Sequence, residues 1–224
     1  MSDNKKICFI SCVNNDLFYE ECLKYIQNLI VPDGYTIDTI SIKDAKSMCE
    51  GYNAAMFTSD AKYKVYLHQD TFIINKNFIS DILELFNSNE QIGMLGVCGT
   101  ETIPTNAIWW YSVHKYGKVY ENHTGEMEIL AFNEVNENYH NVKTLDGLIM
   151  VTQYDLPWRD DIFNGWHFYD ISQCTEFILA GYEVVVPNQN TPWCIHDCGV
   201  VETKNGFNEY RNIYLDEYSK RIFP

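Results

Sequence analysis

Four short apolar, β-rich runs punctuate the first hundred residues, and a segment of helical spacing separates each from the next. Lys6 to Cys12 reads as a buried strand bounded by Asn14-Asn15-Asp16, with Asp16 placed to cap the following helix. In that helix Leu17, Phe18, Cys22, Tyr25, Ile26 and Leu29 recur on one side, until Pro32-Asp33-Gly34 turns the chain. Thr36 to Ile42 is the second strand, and Ser47 to Ser59 the second helix, with Met48, Tyr52, Ala55 and Met56 on one face. Lys64 to Leu67 is the third strand. Asn77 caps a third helix carrying Phe78, Ile79, Ile82, Leu83 and Phe86, and Ile92 to Cys98 is the fourth strand. Strand alternating with helix implies βαβ units and a parallel sheet, so this half is Rossmann-like.

Beyond Thr100 the texture changes. A loop carries Trp109-Trp110-Tyr111, strands are expected at Glu128 to Val135, Leu145 to Thr152 and Glu183 to Val186, and Phe207 to Tyr218 has the spacing of a terminal helix. Between them, Asp170 or Ser172 is positioned to cap a helix bearing Cys174, Phe177 and Ile178. No repeat or linker interrupts the 224 residues, so residues 1–224 are expected to form a single α/β domain, subdivided near residue 100.

Sixteen basic against 31 acidic residues give a net charge of −15, and no Lys/Arg cluster offers the footprint that neutralises phosphates. Nucleic acid is therefore excluded as a partner, and an anionic membrane surface is disfavoured. A small anion can still bind where local donors or a metal override the global field. Eight scattered cysteines, several inside apolar runs, fit reduced, buried thiols and a cytoplasmic setting. The N-terminal apolar stretch ends at Asn14 without a cleavage site, and no run approaches the ~18 apolar residues of a membrane span.

Three segments combine residue types that carry chemistry. Tyr66-Leu67-His68-Gln69-Asp70 runs an apolar strand straight into polar side chains, and parallel sheets place their ligand crevice at such carboxyl ends. Phe163-Asn164-Gly165-Trp166-His167-Phe168-Tyr169-Asp170 surrounds a carboxylate with aromatics; Asp170 there is either a helix cap or a base. In Trp193-Cys194-Ile195-His196-Asp197-Cys198-Gly199 an extended backbone would project Cys194, His196 and Cys198 together, which permits zinc. Ligands at alternate positions are not the C-x₂₋₄-C pairing of structural zinc, so the favoured reading is His196 as one ligand of a harder metal, with the cysteines packed. Asp146-Gly147 before Leu148-Ile149-Met150 is either a turn or a backbone approach to ligand. Marks of dehydrogenases, P-loop NTPases and α/β-hydrolases are absent.

Taken in chain order, these pieces resemble nucleotide-sugar-dependent glycosyltransferases of the GT-A fold, close to family-2-like bacterial enzymes. The carriers are Ile7-Cys8-Phe9-Ile10-Ser11-Cys12-Val13-Asn14, Ser47 to Ala55, His68-Gln69-Asp70, Leu145 to Met150, Gly165 to Asp170 and the late His196. The resemblance implies a Rossmann-like single domain, a central mostly parallel mixed sheet flanked by helices, with a nucleotide-binding half (1–99) and an acceptor and catalytic half (100–224). Asp70 matches the last acid of the family's Asp-x-Asp metal motif, His68 replaces the first, and His196 matches a late metal ligand. Val13, Asn14, Asn53, His68, Gln69, Asp70, Asp146 and Gly147 are the implied donor contacts. Asp170 matches the general base of inverting members, and Trp166 and His167 are implied on the acceptor side. Trp158, Trp166 and Trp193 are each either sugar platforms or core. The expected chemistry is transfer from a nucleotide-sugar, a UDP-sugar first among donors, to a glycan or glycoconjugate. An imidazole in the metal shell favours Mn²⁺ over Mg²⁺. The competing reading is a non-catalytic nucleotide-sugar or glycan-binding module of the same fold.

Overall fold

The computed structural model describes residues 2–200 and 203–222. Strand β1 (Asp3–Val13) leads through α1 (Asp16–Gln27) to β2 (Thr36–Lys43), and α2 (Met48–Thr58) leads to β3 (Ala61–Leu67). Next come β4 (Thr71–Ile73), α3 (Phe78–Ser88), β5 (Ile92–Gly96) and β6 (Cys98–Thr100). A 3₁₀ turn at Trp109–Tyr111 precedes β7 (Lys115–Glu121), β8 (Glu128–Ala131), β9 (Tyr139–Asn141), β10 (Thr144–Leu145) and β11 (Ile149–Thr152). Helix α4 (Tyr169–Leu179), β12 (Glu183–Pro187), β13 (Cys194–His196) and α5 (Phe207–Ile222) follow.

The larger sheet has the order β2-β1-β3-β11-β5-β12-β9. Strands β2, β1, β3, β5 and β12 share one direction, and β11 and β9 oppose them. Strand β11, from the second half of the chain, sits between two strands of the first, so one sheet unites both halves. Because successive side chains of a strand point to opposite faces, this sheet feeds two cores. Cys8, Ile10, Tyr66, Met150 and Val184 face one, which α2, α4 and α5 close with Tyr52, Phe177 and Tyr214. Ile7, Phe9, Val65, Val151 and Val185 face the other, closed by α1 and α3 with Ile26, Phe78 and Ile82. A smaller sheet, β10-β6-β7-β13-β4 with β8 on β7, stands at the end where the site lies.

Several local expectations are corrected. Asn15, not Asp16, caps α1: its side chain accepts from the amides of Leu17 and Phe18. Asn77 occupies the cap position of α3 but makes no side-chain capping bond. Ser47 caps α2 by accepting from Glu50 N at 3.1 Å, while the Glu50 carboxylate reaches back to Lys46 N at 2.9 Å. The run Ile92 to Cys98 is split between the two sheets, since β5 ends at Gly96 and β6 starts at Cys98. The expected strand to Val135 stops at Ala131. Leu145 to Thr152 is interrupted by a turn at residues 146–148, where Asp146 Oδ1 accepts from Leu148 N at 3.0 Å. No described helix is long and apolar enough to cross a membrane.

Candidate active site

The chain leaves β3 in a tight turn, with His68 N donating to Leu148 O at 3.0 Å and Thr71 N to His68 O at 3.1 Å. This turn throws three polar side chains outward. Gln69 bends back to the end of β1, where its Oε1 accepts from Asn14 N (3.0 Å) and Asn15 N (2.9 Å) and its Nε2 donates to Asn14 Oδ1 (2.5 Å). His68 and Asp70 face a cleft of about 680 Å³ that opens between the two sheets' ends and α4.

His196 reaches the same cleft from β13, whose pairing sets it opposite Thr71 of β4 and beside Glu121 of β7. Its Nε2 lies 3.3 Å from His68 Nδ1 and 3.6 Å from Asp70 Oδ1; its Nδ1 lies 3.0 Å from Glu121 Oε1. Burial opposes charge on His196, but Cys198, Glu121, Asp70 and Asp146 outweigh it and lift its pKa well above the histidine range. Glu121 moves the opposite way: burial would raise it, and the bond and charge of His196 hold it down. His68, pressed by burial and then by His196, falls to about 4 and is neutral. With His196 protonated, its Nε2–H donates to His68 Nδ1, which leaves His68 Nε2–H to face the Tyr169 hydroxyl at 2.5 Å.

Across the cleft, α4 starts in an unusual way. Neither Asp170 nor Ser172 is its cap. Phe168 takes that place in the left-handed region (φ 64°) and makes no side-chain capping bond. Such a conformation costs about 1–3 kcal/mol in a non-glycine residue, and packing on Phe207 and Tyr214 holds it. The kink aims Tyr169 and Asp170, in the first turn of α4, at the cleft. Burial and then the charge of Asp146 raise the Asp170 pKa to about 7, against the lowering pull of the nearby backbone amides of Ile171, Asp170 and Gly147. Asp146 is also raised, by burial. Gly147 is glycine for a spatial reason: a Cβ there would collide with the Tyr169 hydroxyl.

The donor set suits a divalent cation. Asp70 Oδ1 is buried and has no hydrogen-bond partner, a costly state for a carboxylate oxygen. One donor atom each from His68, Asp70 and His196 lies within 4.8 Å of the others. A second such group joins Glu121, His196 and Cys198. Cys194, paired with them by alternation in the sequence, is instead fully buried in the core, opposite Ile73 of β4.

Among the other expected residues, Trp166 and His167 line the cleft, Trp166 with 44% of its surface exposed. Val13 is buried and Asn14 exposed at the end of β1, outside the cleft lining but tied to it through Gln69. Asn53 is turned away: its Nδ2 donates to Trp158 O (2.9 Å) and its Oδ1 accepts from Trp158 N (2.8 Å), both buried. Trp158 packs at tilted and edge-on angles against Tyr52 and Tyr66, and Trp193 edge-on against Phe78, so both are core, not sugar platforms. Glu121, Tyr169, Trp109, Trp110 and Phe207 line the cleft and escaped the sequence reading of the site. The Glu121-Asn122-His123 alternation was the available signal for Glu121, since His123 Nδ1 stands 3.1 Å from Glu121 Oε2.

The model of the Glycosyltransferase like family matches residues 8–218. No curated protein sequence matches the chain. Among solved structures, the mannosyltransferase PcManGT from Pyrobaculum calidifontis, in complex with GDP-Man and Mn²⁺, aligns with a TM-score of 0.55 at 11% identity, covering 93% of this chain and 60% of that one. S. aureus TarS (1–349), in complex with UDP-GlcNAc, aligns with a TM-score of 0.54 at 12% identity, covering 88% and 60%. This chain thus spans about 60% of the length of either structure. At these identities the likeness is one of fold, and the fold is GT-A, with its mixed central sheet between helices. A family match that runs from β1 to α5 settles the kinship, and the chain belongs to the Glycosyltransferase like family.

Proposed function

We propose that the protein transfers a sugar from a nucleoside-diphosphate donor to an acceptor hydroxyl, with inversion, using Asp170 as general base. The observation that carries this is the one cleft lined both by a carboxylate with a pKa near 7 and by the Asp70 and His196 donors. A base is most effective when its pKa lies near the working pH. Asp170 takes the proton of the acceptor hydroxyl as its oxygen bonds to the anomeric carbon. The bond from that carbon to the diphosphate oxygen breaks, and its electron pair leaves with the nucleoside diphosphate. Attack from the face opposite the leaving group inverts the anomeric centre.

A divalent cation held by Asp70 and His196 would neutralise the charge that gathers on the leaving diphosphate. At −15 overall the protein repels a free nucleoside diphosphate, which favours a cation at that point. Imidazole nitrogen beside carboxylate oxygen suits Mn²⁺ better than Mg²⁺. GDP-Man with Mn²⁺ and UDP-GlcNAc in the two structural neighbours support a nucleotide-sugar as donor. Trp110, Trp166 and Phe207 offer aromatic faces to a glycan or glycoconjugate acceptor.

The deciding experiment is Asp170→Asn. Transfer collapses while donor affinity, read by calorimetry, persists; an active variant removes the base from the scheme. His68 in the place of an acid favours one other reading, a binding module of the same fold. Hydrolysis of the donor by the purified protein separates the two, because a module leaves it intact.

A further inference from the structure

Beyond the transferase reading, the far side of the His196 ring carries a second group of donors. We infer that Glu121, His196 and Cys198 form a zinc site, distinct from the Asp70 side and sharing only the imidazole with it. Strand pairing builds it: His196 of β13 lies in parallel register with Glu121 of β7, and Cys198 follows His196 by two residues. His196 Nδ1 and Cys198 Sγ lie 3.0 and 3.8 Å from the same oxygen, Glu121 Oε1. Zinc bonds of about 2.0 to 2.3 Å set the donors of a tetrahedral shell roughly 3.3 to 3.8 Å apart, so the three atoms already stand near coordination spacing.

The chemistry of the set selects the ion. Thiol, imidazole and one carboxylate make a borderline-soft cage, whereas Mn²⁺ and Mg²⁺ prefer oxygen-rich shells. All three side chains line the cleft, which gives the ion an entry path and leaves a fourth position for water. The site has its own supporting shell: His123 Nδ1 stands 3.1 Å from Glu121 Oε2, and Asn122 Oδ1 accepts from Gly199 N at 2.7 Å, fixing the turn that carries Cys198. On binding, the Cys198 thiol and the Nδ1–H of the protonated His196 ring each give up a proton to solvent, so that the sulfur bonds zinc as thiolate and the ring as neutral imidazole.

Because a neutral imidazole offers one lone pair, zinc on Nδ1 leaves a proton on Nε2, the nitrogen that faces Asp70. The two cation positions therefore oppose each other through one ring. Zinc in the inner cage draws His196 away from the diphosphate side.

The test uses Co²⁺ as a spectroscopic substitute on the metal-stripped full chain, and its readout does not depend on transfer. Wild type should show a thiolate-to-cobalt charge-transfer band saturating at one equivalent and bleached by Zn²⁺. Cys198→Ser should lose the band, Asp70→Asn should keep it, and Glu121→Gln should weaken Co²⁺ binding at least about tenfold. Absence of the band in wild type overturns the site. So does a band that survives Cys198→Ser, which would put the ion on Cys98, the other thiol lining the cleft. Should Cys198→Ser fail to fold, alkylation of wild type decides: one equivalent of Zn²⁺ must protect Cys198 against iodoacetamide, and unchanged labelling refutes the proposal. Loss of transfer in Asp170→Asn bears on the base alone, so the two readings fail separately.

Discussion

The Tyr169 hydroxyl lies 2.5 Å from His68 Nε2, joining the first turn of α4 to the end of β3. This link spans the cleft floor, and it fixes the residue beside Asp170 to the residue two before Asp70. Tyr169→Phe deletes it and leaves the half-buried His68 ring without that partner. An unpaired buried polar group costs about 1–3 kcal/mol, so the variant should lose that much in urea unfolding. A Tyr169→Phe protein as stable as its parent would mean that the link holds nothing together.

The raised pKa of Asp170 predicts two pH effects of opposite use. As a base Asp170 works deprotonated, so kcat/KM should climb as pH rises through about 7 and level above it. Asp146 is the second cause of the shift, after burial, so Asp146→Asn should move the acidic limb to lower pH. Stability runs the other way. A carboxyl whose folded pKa lies above its unfolded value binds more protons when folded, so its contribution is complete below about pH 4 and lost as pH rises to about 7. Asp170→Asn should therefore melt higher than wild type at pH 8 and gain nothing at pH 4. Parallel melting curves at both pH values would contradict the burial of a charge there.

Removing the cation ligands should separate binding from chemistry. Asp70 Oδ1 is buried without a hydrogen-bond partner, so Asp70→Ala removes an oxygen left open to a cation. Mn²⁺-dependent binding of a nucleoside diphosphate should fall at least tenfold, and a chelator should reproduce the loss in wild type. Since each tenfold corresponds to about 1.4 kcal/mol, calorimetry resolves it. An Asp70→Ala titration that overlays the wild type excludes a metal-bridged diphosphate.

Local pattern made the strands and helices of the first half legible, because apolar periodicity is a property of neighbouring residues. What it hid was pairing at a distance. Strand β11 lies between β3 and β5 and runs against both, an arrangement that no local periodicity encodes. Glu121 alternates with His123 in the sequence, but its meeting with His196 comes only through the β7–β13 register and is hidden for the same reason. The start of α4 failed differently: Asp170 is a good cap by type, but Phe168 in a left-handed conformation takes the position, held by Phe207 from the far end of the chain. His68, Asp70 and His196 were legible because each sits at or beside a strand end, where a sheet exposes its ligands.

Asn53 tests how far a residue's place in a family motif carries. The resemblance assigns it to the nucleotide, but both ends of its amide are spent on the Trp158 backbone, as donor at 2.9 Å and acceptor at 2.8 Å. Those bonds anchor the segment whose indole packs between Tyr52 and Tyr66 under the central sheet. Asn53→Ala leaves a buried N–H and a buried C=O unpaired, and should cost about 2 to 4 kcal/mol. The folded fraction should bind nucleoside diphosphate as wild type does. Denaturant midpoints and calorimetry at low temperature measure the two effects separately. A variant of wild-type stability that binds tenfold more weakly would return Asn53 to the donor site.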